Sequence, residues 1–200
     1  MRLITDESWD FGDELLSLME RVAESALKSF DIDPSVCEVS LTIVSPEEMR
    51  DLNAQYRGKD SATDVLSFPM YESAEEIMAA AQFAPRLNSN SGFAGAEATQ
   101  NLTGIQSDAS DCVLDCAEEV QTPACGMLLG DVVICREIAE KQAAEIGQSL
   151  ERELLYLFVH SVLHLLGCDH ENEEDKRAMR DKEKDILDSF TTDIFKTRQE

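Results

Sequence analysis

Basic residues are scarce in this chain. Seventeen lysines and arginines face 41 acids, leaving a net charge of −24 and a pI near 4.3. A surface of that sign repels polyanions, so diffuse nucleic-acid binding is excluded, and any RNA-directed role needs a local cationic site. No apolar run approaches the ~18–20 residues of a membrane span, so no membrane partner is expected. The opening Met1-Arg2-Leu3-Ile4-Thr5-Asp6-Glu7 lacks the basic-then-apolar pattern of a secretory leader, which makes a cytoplasmic location the expectation. Six cysteines, at 37, 112, 116, 125, 135 and 168, show no regular spacing and are expected as free thiols. Histidine is scarcer still, with three residues in 200.

What is present suits one domain over 1–200, long enough to bury a core, with no internal repeat. Residues 2–5 read as a short strand. Leu15, Leu16, Met19, Val22, Ala23, Ala26, Leu27 and Phe30 form the stripe of an amphipathic helix over 13–30. Residues 36–44 alternate in part and are β-branched, which predicts a strand. Ser45-Pro46-Glu47-Glu48 places a cap, a proline and acids at the start of a helix reaching Tyr56. A polar loop with Arg57 and Lys59 leads into a strand at 65–68. The run from Leu128 to Cys135 reads as a buried strand, and 136–146 as a helix ended by Gly147. Ser149 caps the next helix, which is apolar on nearly every side and therefore buried and central. A charged surface helix follows from Glu173 to about Phe190, with Met179, Ile186 and Leu187 facing inward.

Residues 72–126 differ in character. They hold nine acids against a single base, Arg86, and the middle is rich in Ser, Asn, Gly and Ala. The whole stretch is expected to be a flexible acidic insertion, with a short helix starting at Ser73; its removal leaves an ordinary domain. Cys112, Cys116 and Cys125 lack a histidine or fourth thiol nearby, so no second metal site is expected there.

All three histidines fall inside His160-Ser161-Val162-Leu163-His164-Leu165-Leu166-Gly167-Cys168-Asp169-His170. In a helix His160 and His164 share one face, and Gly167 can end the helix and return the chain so that His170 approaches them. An unliganded buried triad would strand polar nitrogens at about 1–3 kcal/mol each, whereas three imidazoles with a fourth position open hold a catalytic zinc. Nickel or copper would also fit the donor set. The spacing matches metzincin proteases, but those carry a glutamate directly after the first histidine; here that residue is Ser161, which disfavours peptide hydrolysis. RNA cleavage makes a smaller demand, since the 2′-hydroxyl is an internal nucleophile and charge stabilisation then suffices. On chemistry alone Arg57 and Lys59 read as solvated surface charge, yet two cations flanking one glycine are locally unusual in so acidic a chain, and arginine can clamp phosphate through two parallel hydrogen bonds.

Arg57-Gly58-Lys59-Asp60 with Thr63-Asp64-Val65-Leu66-Ser67-Phe68, Leu129-Gly130-Asp131-Val132-Val133-Ile134, and His160 to His170 together resemble the YbeY family, bacterial endoribonucleases of ribosomal RNA maturation. The resemblance runs from about Ser45 to Ile186, the insertion excepted. It implies an α+β fold, a small mixed four-stranded sheet with packed helices and a central buried zinc-binding helix. It implies one zinc per chain on His160, His164 and His170, with Arg57 needed for activity. By the same resemblance the substrate is single-stranded RNA, the 3′ end of the small-subunit (16S) ribosomal RNA precursor, with ribosomal or small-subunit assembly proteins as partners in quality control. Lys59 is expected to steer the RNA backbone, and Asp169 to orient a ligand. Ser161 where glycine is common, Cys168, and the long insertion depart from the family pattern. The rival readings are a ribosome assembly factor with a structural zinc and a zinc metalloprotease.

Overall fold

In the computed structural model the described residues are 1–5, 12–86, 126–168 and 172–194. Four strands form one mixed sheet: β1 (Arg2–Thr5), β2 (Cys37–Val44), β3 (Val65–Pro69) and β4 (Met127–Cys135), in the order β1-β2-β4-β3. The β1–β2 and β2–β4 pairings are parallel and β3–β4 is antiparallel, so β3 is an edge strand. Among the described residues the α-helices are α1 (Asp13–Lys28), α2 (Pro46–Arg57), α3 (Ala74–Ala81), α4 (Arg136–Ile146), α5 (Leu150–Leu165) and α6 (Glu173–Ile194). The expected α+β class and mixed four-stranded sheet are what the structure shows. No helix among the described residues is long and apolar enough to cross a membrane.

The larger core joins Met19, Val22 and Leu27 of α1, Val39 and Leu41 of β2, and most of α5, from Leu154 to Leu165. The sheet's other face carries a smaller cluster of Met49, Leu66, Val133 and Cys135. One extra residue in β4 reconciles its side chains with this division. Glu38 pairs with Leu128 but Ser40 pairs with Asp131, so Leu129 and Gly130 together oppose Val39. That bulge shifts the inward parity by one, and Met127, Leu129, Val132 and Ile134 all reach the larger core. Gly130 takes φ +153°, and a Cβ there would lie 2.3 Å from the Phe68 carbonyl oxygen and 2.8 Å from Leu165 Cδ2. The missing side chain is therefore what lets the last turn of α5 sit directly on the sheet.

Of the acidic stretch 72–126, residues 72–86 and 126 are among those described. Ser73 caps α3 by accepting from the Glu76 backbone N–H, and Ile77 is fully buried in the larger core. Ala74, Met78, Ala81 and Ala84 pack around it. The short helix expected to start at Ser73 is α3, and its burial ties the beginning of the stretch to the core: an isoleucine out of water is worth about 1.5–3 kcal/mol to the fold. Cys112, Cys116 and Cys125 lie outside the described residues. Of the others, Cys37 and Cys135 are buried free thiols and Cys168 is a half-buried one; burial pushes Cys37 up to about 11 and keeps it inert.

Candidate functional site

The middle of α5 is surrounded by other elements, with Leu154, Phe158, Val159, Val162 and Leu163 almost wholly inaccessible. His160 and His164 are the polar interruptions on its outward stripe, beside the half-exposed Tyr156. One turn apart, they bring Nε2 to Nε2 at 3.2 Å, with the rings edge to face. The helix then stops in a Schellman motif: Cys168 N–H donates to the Leu163 carbonyl, Gly167 N–H to that of His164, and Gly167 takes φ +82°. Ser73 Cα and the Glu72 carbonyl lie 3.1 and 3.3 Å from where a Gly167 side chain would begin, so the turn is packed against the start of α3.

Behind His160 stands a carboxylate. Glu183 of α6 accepts from His160 Nδ1 at 2.7 Å, and it is 5% exposed. A carboxylate can only accept, so Nδ1 carries the hydrogen, and in the neutral ring Nε2 then presents its lone pair towards His164. Two imidazole nitrogens aimed at one point, one ring held from behind by a buried carboxylate, fit a cation with nitrogen preference. His160 and His164 would hold it. Among the described residues no group of three or more His, Cys, Asp or Glu side chains is gathered as a metal site, and His170 and Asp169 lie outside the described residues.

Both histidines line an open cleft of about 800 Å³ whose other wall is β3 and its flanking loops. Arg57 lines it too. It is the last residue of α2, directly before Gly58, whose φ of +67° ends the helix. The loop that follows is braced three ways. Arg50 makes a two-bond ion pair with Asp60, at 2.5 and 3.0 Å. Asn53 Nδ2 donates to the Ser61 carbonyl at 2.7 Å. Asp64 accepts from Thr63 Oγ1, Val65 N–H and Gln142 Nε2. Burial pushes the Asp64 carboxyl up, but those three donors outweigh it and hold the group below the usual range. Lys59 is exposed and is not part of the cleft lining. The lining holds one arginine against two carboxylates, Asp64 and Glu72, so the chain's own charge there does not favour a polyanion.

Three side chains that matter here escaped the sequence reading. Glu183 looked like one more charge on a charged helix; its signal was position, since 179, 183 and 186 share one stripe and Met179 and Ile186 were assigned inward. Tyr156 is four residues before His160 on α5, so helical spacing could have placed it beside the histidines, whereas Asp64 reaches the cleft from a separate segment. Ser161 is 1% exposed, its hydroxyl finds no hydrogen-bond partner among the described residues, and it does not line the cleft. Cys168 does line it, and burial raises its thiol above the ordinary value.

The fold matches that of a Thermotoga maritima protein solved in solution, with a TM-score of 0.51 over 96% of this chain and 93% of that one, at 22% identity. Sequence likeness goes further. A protein of Clostridium botulinum (strain Alaska E43 / Type E3) named endoribonuclease YbeY is 38% identical over 182 residues, 90% of this chain and 91% of its own. One of Thermoanaerobacter sp. (strain X514), of the same name, is 36% identical over 189 residues, 94% and 96% of the two chains. The family model described as endoribonuclease YbeY matches residues 3–191, which spans both walls of the cleft, and the chain therefore belongs to the YbeY endoribonuclease family.

Proposed function

We propose that this chain is a zinc-dependent endoribonuclease that cuts single-stranded RNA, acting at the 3′ end of the small-subunit ribosomal RNA precursor and in late ribosome quality control alongside small-subunit assembly proteins. The observation that carries the reading is that Arg57 lines the same open cleft as the paired imidazoles. Relatives across nearly the whole chain bear the name endoribonuclease.

His160, His164 and His170 are the proposed ligands of one zinc. The chemistry such a cation supplies is Lewis-acid polarisation of a phosphoryl oxygen. Arg57 gives two parallel N–H donors to the phosphate and stabilises charge as it develops there. The braced loop from Gly58 to Asp64 fixes the backbone from which that side chain reaches into the cleft. Asp64, saturated by donors and held ionised, serves as a strut and is a poor general base. Lys59, beyond the cleft, is proposed to meet the RNA backbone at a distance. The openness of the site argues for catalysis over a structural zinc, because structural sites are closed.

The decisive experiment is single-turnover cleavage of a precursor ribosomal RNA by the wild-type protein and by His164→Ala, with metal content measured on both. Cleavage by the metal-bound wild type and none by the variant supports the reading. A zinc-loaded wild type that leaves the RNA intact would sink it.

A further inference from the structure

We propose that Glu183 is a positioning residue for the hydrolytic site: it selects the Nδ1–H tautomer of His160 and so keeps the Nε2 lone pair available to a metal ion. The proposal rests on the reading of His160 as a ligand.

Three observations carry it. The Glu183 carboxylate sits 2.7 Å from His160 Nδ1. It is nearly inaccessible, on the stripe of α6 that also buries Met179 and Ile186. A carboxylate in that position destabilises a fold unless it is paired, so a purely structural α6 would be better served by leucine or methionine there. The third is the direction of the far side of the ring. With Nδ1–H donated to Glu183, His160 Nε2 faces His164 Nε2 at 3.2 Å, and a free imidazole, left to itself, would put its hydrogen on Nε2 in a good share of molecules and point it at the ligand position. Glu183 removes that competing state. The same contact ties a surface helix, docked on α1 through Arg21 over the Phe190 ring at 5.1 Å, to the geometry of the proposed metal ligands.

The test compares wild type, Glu183→Met and Glu183→Gln. Methionine has similar length and suits an apolar site, so the variant is expected to fold; glutamine keeps an acceptor without the charge. Nitrogen-15 spectra of the metal-free proteins at pH 8.5 read the imidazole tautomers directly, and the chain has only three histidines to assign. The wild type should show His160 as Nδ1–H, Glu183→Met a mixture with Nε2–H, and Glu183→Gln an intermediate. Zinc affinity, measured by competition with a chromogenic chelator, should fall about 10- to 100-fold in Glu183→Met and less in Glu183→Gln. A His160 tautomer and a zinc affinity unchanged in Glu183→Met would overturn the proposal. A wild type that takes up no zinc would instead fail the metal reading, and the tautomer comparison would still decide the role of Glu183.

Discussion

Glu183 and His160 meet at 2.7 Å across two helices, one carrying mostly surface charge and the other almost wholly buried. If His160 binds the proposed cation, that binding and the docking of α6 are coupled: whatever orders the His160 ring also holds Glu183, and with it Met179 and Ile186. Hydrogen exchange should show α6 amides around residues 179–187 better protected in zinc-loaded protein than after chelation, with helix α2, remote from the contact, unchanged. Equal protection in the two states would show that no such coupling exists.

Arg57 stands across the cleft from that pair, free of any role in the core. Arg57→Ala is expected to retain its zinc and its melting temperature while cleaving RNA about 10²- to 10³-fold more slowly, the usual cost of losing one charge-stabilising donor. Arg57→Lys should recover only part of the rate, since a point charge cannot make two parallel bonds. Single-turnover rates with metal content on the same samples check both.

Charge in the cleft makes a separate demand. With one arginine against Asp64 and Glu72, and −24 on the chain as a whole, the protein's own field opposes RNA. Chelated protein should therefore lose binding to single-stranded RNA as well as cleavage, read by fluorescence anisotropy at fixed ionic strength. Undiminished binding by the chelated protein would place the RNA contact elsewhere.

Gly130 supports the site from beneath. Gly130→Ala drives a methyl into the Phe68 carbonyl and Leu165, at a backbone angle alanine rarely adopts. The expected loss is about 2–5 kcal/mol by urea unfolding. Because Leu165 follows His164 directly, a variant that still folds should also bind zinc more weakly.

Asp64 sets an acid limit. Its folded carboxyl lies below the ordinary value, so the stability it contributes is fully present above the unfolded pKa near 3.9 and is lost as pH falls through the lower folded value. Asp64→Asn should melt below wild type at pH 7, with the gap narrowing below about pH 4. A gap independent of pH would mean that the ionised form contributes nothing.

The acidic stretch separates into two parts by experiment. Deleting 74–124 removes Ile77 from the core, at about 2–5 kcal/mol. Deleting only 88–124 spares α3 and should leave the melting temperature and zinc content as they were.

Much of this protein can be read from local pattern. An apolar stripe at helical spacing marks α1, an apolar stretch with no polar face marks α5, the cap and proline at Ser45-Pro46 mark α2, and β-branched runs mark β2 and β4, because each element answers to its own pattern and its own termini. The helical pairing of His160 with His164, and the turn at Gly167, follow from four-residue spacing and from glycine's access to positive φ. Tertiary structure decided what no period encodes. It put Ile77 of a polar, acidic stretch into the core, used a single extra residue at Gly130 to set the parity of β4, and carried Arg57 to the cleft that His160 and His164 line. It also turned Glu183 from a surface charge into the partner of His160. The reason is the same in each case: these are meetings between segments far apart in the chain, and what a side chain touches there depends on how whole elements pack, which its neighbours in sequence do not specify.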